Sequence, residues 1–301
     1  MPMKSARTVA AAVVSLALVT MPVAAQSDAP RPAVTMSGTG SETYVFISGM
    51  VGGVKGFGRI EALLLERGYS VVAIDPYQLS LDSTDVTFAA LARRVDRVLE
   101  ERGVAAARIV GHSHGGGVAL RLAAHAPRRV EALYLLDVGA MEAQRGVVFS
   151  SAMRLVPVIV RLPGGRRFIR DRFVSGLRQN SGTHAWLDSA TQRAYTEPVL
   201  NNIDRVIAMA MRLSRAEEPE PLRSVLSRIS APTTVVLGAV ANPSEPDAAE
   251  IARLAMLKSP VHITNLDGVG HFPHEESSRE VVRLLVIPRT VAALPRVGGA
   301  R

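Results

Sequence analysis

The chain contains no cysteine in its 301 residues. That excludes a disulfide framework, a thiolate nucleophile, an acylated lipoprotein cysteine, and any zinc or iron–sulfur centre held by thiolates. It also lacks a compact block of lysine and arginine. The formal charge of +8 is spread as arginines between apolar residues. Neither a clustered basic face nor a nucleic-acid-binding motif is present, so nucleic acid is not an expected partner. Attraction to anionic surfaces, membranes included, stays open. There is no internal repeat, and no uninterrupted apolar run reaches the ~20 residues that a membrane span needs. What is there, 48% hydrophobic residues, suffices for one large core or a core with a smaller insertion.

Residues 1–25 read as a secretory signal peptide. Lys4 and Arg7 form a positive start, Val9 to Val19 an apolar stretch closed by Pro22, and Val23-Ala24-Ala25 a small-residue cleavage site before Gln26. The expected location of the mature chain is therefore periplasmic or secreted, with no integral span once this segment is removed. Residues 26–42, rich in Pro, Ser, Thr and Gly, read as a tether with at most one short strand.

A rhythm of strands and helices follows. Thr43–Ile47, Ser70–Ile74, Arg108–Val110 and Val130–Leu136 are short apolar strand runs. Between them lie helical patterns around Ile60–Leu65, over Phe88–Arg102 and over Val118–Ala126. Such alternation implies a parallel sheet covered on both faces, with ligands beyond the strand C-termini, where Gly49, Ser113 and Asp137 fall. From Val138 to Ile229 the rhythm stops. Helical patterns at Val147–Leu162, Arg167–Gln179, Ala185–Ala194 and Pro198–Leu213 suggest an inserted helical cap. Sheet rhythm resumes at Thr233–Gly238, a helix over Asp247–Lys258, a strand at Val261–Thr264, and a last helix opened by Gly270–Glu276 and reaching about Val286. The expected division is a core of residues 43–137 and 230–290 around a cap of residues 138–229, with a frayed tail at Pro295–Arg301.

The chemistry gathers at Gly111-His112-Ser113-His114-Gly115. Strand, sharp turn and helix around a Gly-x-Ser-x-Gly make a nucleophile elbow, with the hydroxyl exposed at a helix N-terminus that favours an oxyanion. The plainer alternative is a serine that merely caps the helix. A serine hydroxyl needs a base, and His271, on a Gly-flanked loop after the Val261 strand, is the histidine placed to supply it. His112 and His274 read as structural, and His262 as a strand packing residue.

Together with Gly270-His271-Phe272 and Ser48-Gly49-Met50 after the first strand, this pentapeptide resembles the α/β-hydrolase superfamily over roughly Thr43 to Val286. The resemblance implies an α/β fold with a mostly parallel sheet, helices on both faces and a helical cap. It implies Ser113 as nucleophile and His271 as base. It also implies an oxyanion hole from the backbone N–H of His114 and that of Met50 or Val51, with Ser48 standing where the usual histidine would be. Serine rather than aspartate at the elbow argues against the haloalkane dehalogenase and epoxide hydrolase branches. The family's usual acid position, in the loop Gly238–Glu245, holds Asn242, with Glu245 and Asp247 farther along. Some relatives carry the acid after the strand that follows the nucleophile helix, and Asp137 fits there. Asp137 is therefore the first candidate and Glu245 the next.

The expected activity is hydrolysis of small-molecule or lipid carboxylic esters through an acyl-enzyme, with no metal or organic cofactor. A carbon–carbon bond hydrolase or acyltransferase on the same frame is the alternative, and a non-catalytic binding protein, motivated by Asn242, the rival of another class. The apolar runs Val156–Val160 and Val206–Met211 of the cap are expected mainly to pack on the core. Trp186 and Tyr195 are candidate pocket residues.

Overall fold

A computed structural model describes residues 32–142 and 151–287. The signal-peptide segment, residues 143–150 and the tail lie outside the described residues. In chain order the elements are β1 (Val34–Ser37), β2 (Thr43–Ile47), α1 (Gly58–Leu65), β3 (Ser70–Ile74), α2 (Phe88–Glu101), β4 (Ala107–His112), α3 (His114–His125) and β5 (Val130–Leu136). Then come α4 (Val156–Arg161), α5 (Gly165–Gln179), α6 (Ser189–Asn201), α7 (Ile203–Leu213), α8 (Leu222–Leu226), β6 (Thr233–Gly238), α9 (Ala248–Arg253), β7 (Val261–Leu266), α10 (Pro273–Glu276) and α11 (Ser278–Val286).

The seven strands form one sheet in the order β1-β3-β2-β4-β5-β6-β7. All neighbours are parallel except β1, which runs antiparallel to β3 with Val34 opposite Ile74. The short strand allowed for in the tether is thus the edge of the sheet. Apolar runs without a polar face make sense here because both faces are covered. Val45, Ile47, Ile109, Leu133 and Leu135 pack with Leu91, Val95 and Leu99 of α2 and Val118 and Leu122 of α3. Their alternates Tyr44, Phe46, Val110, Tyr134 and Leu136 pack with Ile60 and Leu64 of α1 and Val281, Val282 and Leu285 of α11. The hydroxyls of Tyr44 and Tyr134 both donate to Leu285 O, at 2.9 and 3.0 Å. They satisfy a helix-end carbonyl that would otherwise be buried alone.

Between β5 and β6 the described chain is helical, as the broken rhythm suggests, but boundaries differ there and in the last helix. Helix α6 runs through Pro198 instead of ending before it. Asp188 caps its start by accepting from Thr191 N at 2.8 Å, and buried Tyr195, Thr196 and Leu200 hold both sides of the proline. The break comes at Asn202, whose amide donates to Pro198 O at 3.1 Å. The last helix is two helices, divided at Ser277 (φ −141°).

Close approach fixes the glycines around the β4–α3 turn. A Cβ on Gly111 would lie 2.7 Å from Gly115 O, and one on Gly115 only 2.2 Å from Ile47 O. Both contacts are with backbone, which cannot step aside. Gly176 in α5 has nothing within 4 Å of its added Cβ. Gly115→Ala should therefore lower stability by about 1–3 kcal/mol, whereas Gly176→Ala should raise it by about 0.5–1 kcal/mol. Urea midpoints of the two variants check the opposite signs.

Candidate active site

Because β2, β4, β5, β6 and β7 are parallel, the segments that follow them all emerge at one edge of the sheet. Ser113 comes directly after β4, at φ 52° and ψ −129°. Asp137 comes directly after β5, at φ 46°. These are the only non-glycine residues with positive φ among the described residues. Such conformations are sparsely populated and persist only where the surroundings impose them. Here the ladder imposes them: Ser113 N donates to Leu136 O at 3.2 Å and Asp137 N to Val236 O at 2.7 Å. Each residue is tied to the neighbouring strand while its successor leaves the sheet. Ser113 makes no side-chain capping bond to α3, so the plain helix-cap reading of this serine does not hold.

The carboxylate of Asp137 is buried. Its Oδ1 accepts from Gly238 N at 2.9 Å, and its Oδ2 lies 2.7 Å from His271 Nδ1. The other acid candidates do not reach that histidine. Glu245 Oε2 accepts from Asn242 N at 3.3 Å, Asn242 Oδ1 accepts from Ser244 N at 3.0 Å, and Asp247 caps α9 through Glu250 N at 2.7 Å. Asn242 thus closes a local turn. Glu245 and Asp247, with Ser113 and Asp137, line a cavity of about 280 Å³.

His271 is held through its backbone from three directions. Its N–H donates to Asn180 O at 2.7 Å, at the end of α5. Its carbonyl accepts from His112 Nε2 at 2.7 Å. The flanking Gly270 N and Phe272 N donate to Glu276 Oε1 at 3.1 and 3.2 Å, while Glu276 Oε2 accepts from Gly182 N at 2.7 Å and Thr183 N at 2.8 Å. One carboxylate therefore clamps the histidine loop to the segment after α5. Sequence reasoning passed over Glu276 and Asn180. The acidic pair following Gly-His-Phe-Pro-His was the available signal, but nothing in it says that one carboxylate turns back on its own loop. Phe272 stacks near Trp186 (5.0 Å between centroids), and both are buried with Tyr195 in a small cluster. Trp186 and Tyr195 thus pack behind the histidine loop.

On the other side, Gly49 approaches Ser113 so closely that a Cβ there would lie 3.1 Å from Ser113 Cβ. Met50 follows in the same loop, and His114 opens α3. Among the described residues no hydrogen bond joins Ser113 Oγ to His271 Nε2.

Burial sets the charge state behind the site. It holds His274 down at about 3, with His271 adding to the effect, and pushes His112 well below the ordinary histidine value. Both rings are neutral, as expected for buried imidazoles 4.3 Å apart at their centroids. Burial also raises Glu275 to about 7, against the pull of Tyr195 and of Arg59 at 2.9 Å, and raises Asp75 to about 6.

These shifts carry opposite signs in stability. The depressed His274 contributes stability that is present above its unfolded value of 6.5 and is lost as pH falls toward about 3. The raised Glu275 and Asp75 contribute stability that is present below their unfolded values and lost as pH rises through about 7 and 6. Replacing His274 by Gln should therefore leave a protein whose stability, relative to the parent, improves as pH falls from 6.5 toward 3. The slope should be at most about 1.4 kcal/mol per pH unit. Denaturation midpoints of both proteins across that range measure it, and a pH-independent difference would show that His274 is not the neutral partner described.

Comparison with known proteins adds the following. The model of a family described as the alpha/beta hydrolase family matches residues 38–284. The acetyltransferase component of the acetoin-cleaving system of Cupriavidus necator is 35% identical over 147 residues, 46% of this chain and 39% of that protein. The chain thus spans well under half the length of that relative. The sn-1-specific diacylglycerol lipase ABHD11 of Mus musculus is 23% identical over 252 residues, covering 78% of this chain and 77% of the lipase. Among solved structures, a bacterial membrane phospholipase A superposes with a TM-score of 0.64 at 23% identity, over 84% of this chain and 80% of that one. With the family match running from just after β1 to within α11, over the sheet edge that carries Ser113, Asp137 and His271, the chain belongs to the alpha/beta hydrolase family.

Proposed function

We propose that the protein is a serine hydrolase of carboxylic esters in which Ser113, His271 and Asp137 act together. The observation that carries this reading is the 2.7 Å bond from buried Asp137 to His271 Nδ1, one strand over from a serine in an elbow conformation. That bond leaves Nε2 as the ring's working nitrogen. In the first step His271 Nε2 takes the Ser113 proton as Oγ attacks the acyl carbonyl. The imidazolium is stabilised by Asp137. The oxyanion accepts from the N–H of His114, at the positive end of α3, and from that of Met50. Nε2 then protonates the leaving alkoxide. Next it deprotonates a water that attacks the acyl carbon, and the proton passes from Nε2 to Ser113 Oγ as the Oγ–acyl bond breaks and the acid leaves.

Asp137 at the histidine also meets the reason for considering a non-catalytic protein, since Asn242 need not supply the acid. The diacylglycerol lipase and phospholipase resemblances support lipid esters as the substrate class. A fold shared with other hydrolases carries that inference no further.

Kinetics on a soluble aryl ester test the assignment. Ser113→Ala should lower kcat by about 10⁵ or more. Asp137→Asn, which keeps the shape but misorients the imidazole tautomer, should cost about 10⁴. Glu245→Gln should stay within about twofold of the parent. An Asp137→Asn enzyme as fast as the parent, or a slow Glu245→Gln enzyme, would transfer the role of the acid to the β6–α9 loop.

A further inference from the structure

The segment from Met153 to Phe168 does not pack as its composition suggests. Helix α4 lies along α5 and α7, yet Val156, Ile159 and Val160 are only half-buried and Val158 is exposed. Helix α7 does turn Ile207, Met209 and Ala210 inward, so packing is full for one cap run and partial for the other. Of the ten exposed large hydrophobic side chains among the described residues, five are Met153, Leu155, Val158, Leu162 and Phe168, and the last four are 56–58% exposed. The other five are scattered over the fold. A concentration of this kind marks a surface that meets something other than water.

Its charge says what. Residues 151–172 contain six arginines against one acid, Asp171. Arg154, Arg161, Arg166, Arg167 and Arg172 are exposed. Arg161 pairs with Asp204, Arg166 with Glu197, and Arg167 and Arg170 both with Asp171. Even so, six arginines face three carboxylates around the apolar side chains, a local positive excess that the even spread of arginine expected from the sequence does not anticipate.

We propose that this face docks on an anionic lipid bilayer. Aliphatic and phenyl groups would enter the boundary between headgroups and acyl chains while the arginines, on their long apolar stems, reach the phosphates. A second copy of the chain fits less well. A two-fold contact would bring the same arginine collar against itself, where like charges repel. An acidic protein would pair the arginines but gives no special use to isolated leucine, valine and phenylalanine tips. The face also stands apart from the chemistry. Phe168 is near the start of α5, while Asn180, whose carbonyl holds His271, follows its end. At 1.5 Å per residue the two are about 18 Å apart along the helix. Docking therefore leaves the catalytic groups untouched, and the surface stands whether or not Ser113 is the nucleophile.

Sedimentation of the full-length chain with vesicles tests this. One set is phosphatidylcholine alone, the other phosphatidylcholine mixed with phosphatidylglycerol, each at low and high salt. The parent should partition roughly tenfold more strongly to the anionic vesicles, and that preference should fade with salt. Two variants, Leu155→Ser/Leu162→Ser/Phe168→Ser and Arg154→Gln/Arg167→Gln, should each lose the preference while keeping the parental circular dichroism spectrum and urea midpoint, which report their folding. Equal binding to both vesicle types, or no binding, would overturn the proposal. So would binding that survives in both variants, as it would if Val9–Val19 were the attachment. A parental dimer in sedimentation velocity that the triple variant makes monomeric, without vesicle binding, would assign the face to a second copy.

Discussion

Two neighbouring strands of the sheet end in the same unusual way, and the site depends on it. After β4 and after β5 the chain makes one more ladder hydrogen bond and turns into a positive φ, at Ser113 and at Asp137. In a parallel sheet adjacent strands end side by side, so a residue that leaves each strand early enough, with its side chain directed out of the edge, meets its neighbour's partner. The turn after β4 demands close passage between β2, β4 and α3, which is why Gly111 and Gly115 leave no room for a Cβ. The strain at two residues is carried by a sheet whose two faces are each sealed by buried aliphatic and aromatic side chains.

The histidine comes from much farther along the chain, and its loop has no strand to hold it. Polar contacts do that work. Asn180, His112 and Glu276 hold the backbone on either side of His271, and the last of these also binds Gly182 and Thr183. The interior behind the loop is kept uncharged: His112 and His274 are neutral because burial penalises the imidazolium. A charged ring there would oppose positive charge on His271; with both imidazoles neutral, the Asp137 carboxylate 2.7 Å from Nδ1 acts on that ring unopposed.

Much of this was legible in the sequence because it rests on local rules. Strands buried on both faces read as continuous apolar runs, and a Gly-x-Ser-x-Gly between a strand and a helix reads as an elbow. Ser113 and His271 could be named on that footing. Asp137 stands first among the sequence candidates for the acid, but that it reaches His271 and Glu245 bonds elsewhere depends on β5 lying between β4 and β6, a fact of three-dimensional order. The failures are also physical. Pro198 reads as a helix break, yet tertiary packing of Tyr195 and Leu200 carries α6 through it. Glu276 looks like a surface acid until its loop folds back. An apolar run such as Val156–Val160 carries no mark that distinguishes full burial from the partial burial it has in α4.

The proposed chemistry requires the sheet edge to activate one serine, Ser113. Labelling with a fluorophosphonate, followed by mass spectrometry to locate the adduct, tests it most directly, because the probe reacts with a serine only when a base and an oxyanion site are in place. The account predicts one adduct, on Ser113, formed rapidly in the parent and strongly slowed by Asp137→Asn. A folded protein that takes up no label, or takes it up at another residue, would contradict it.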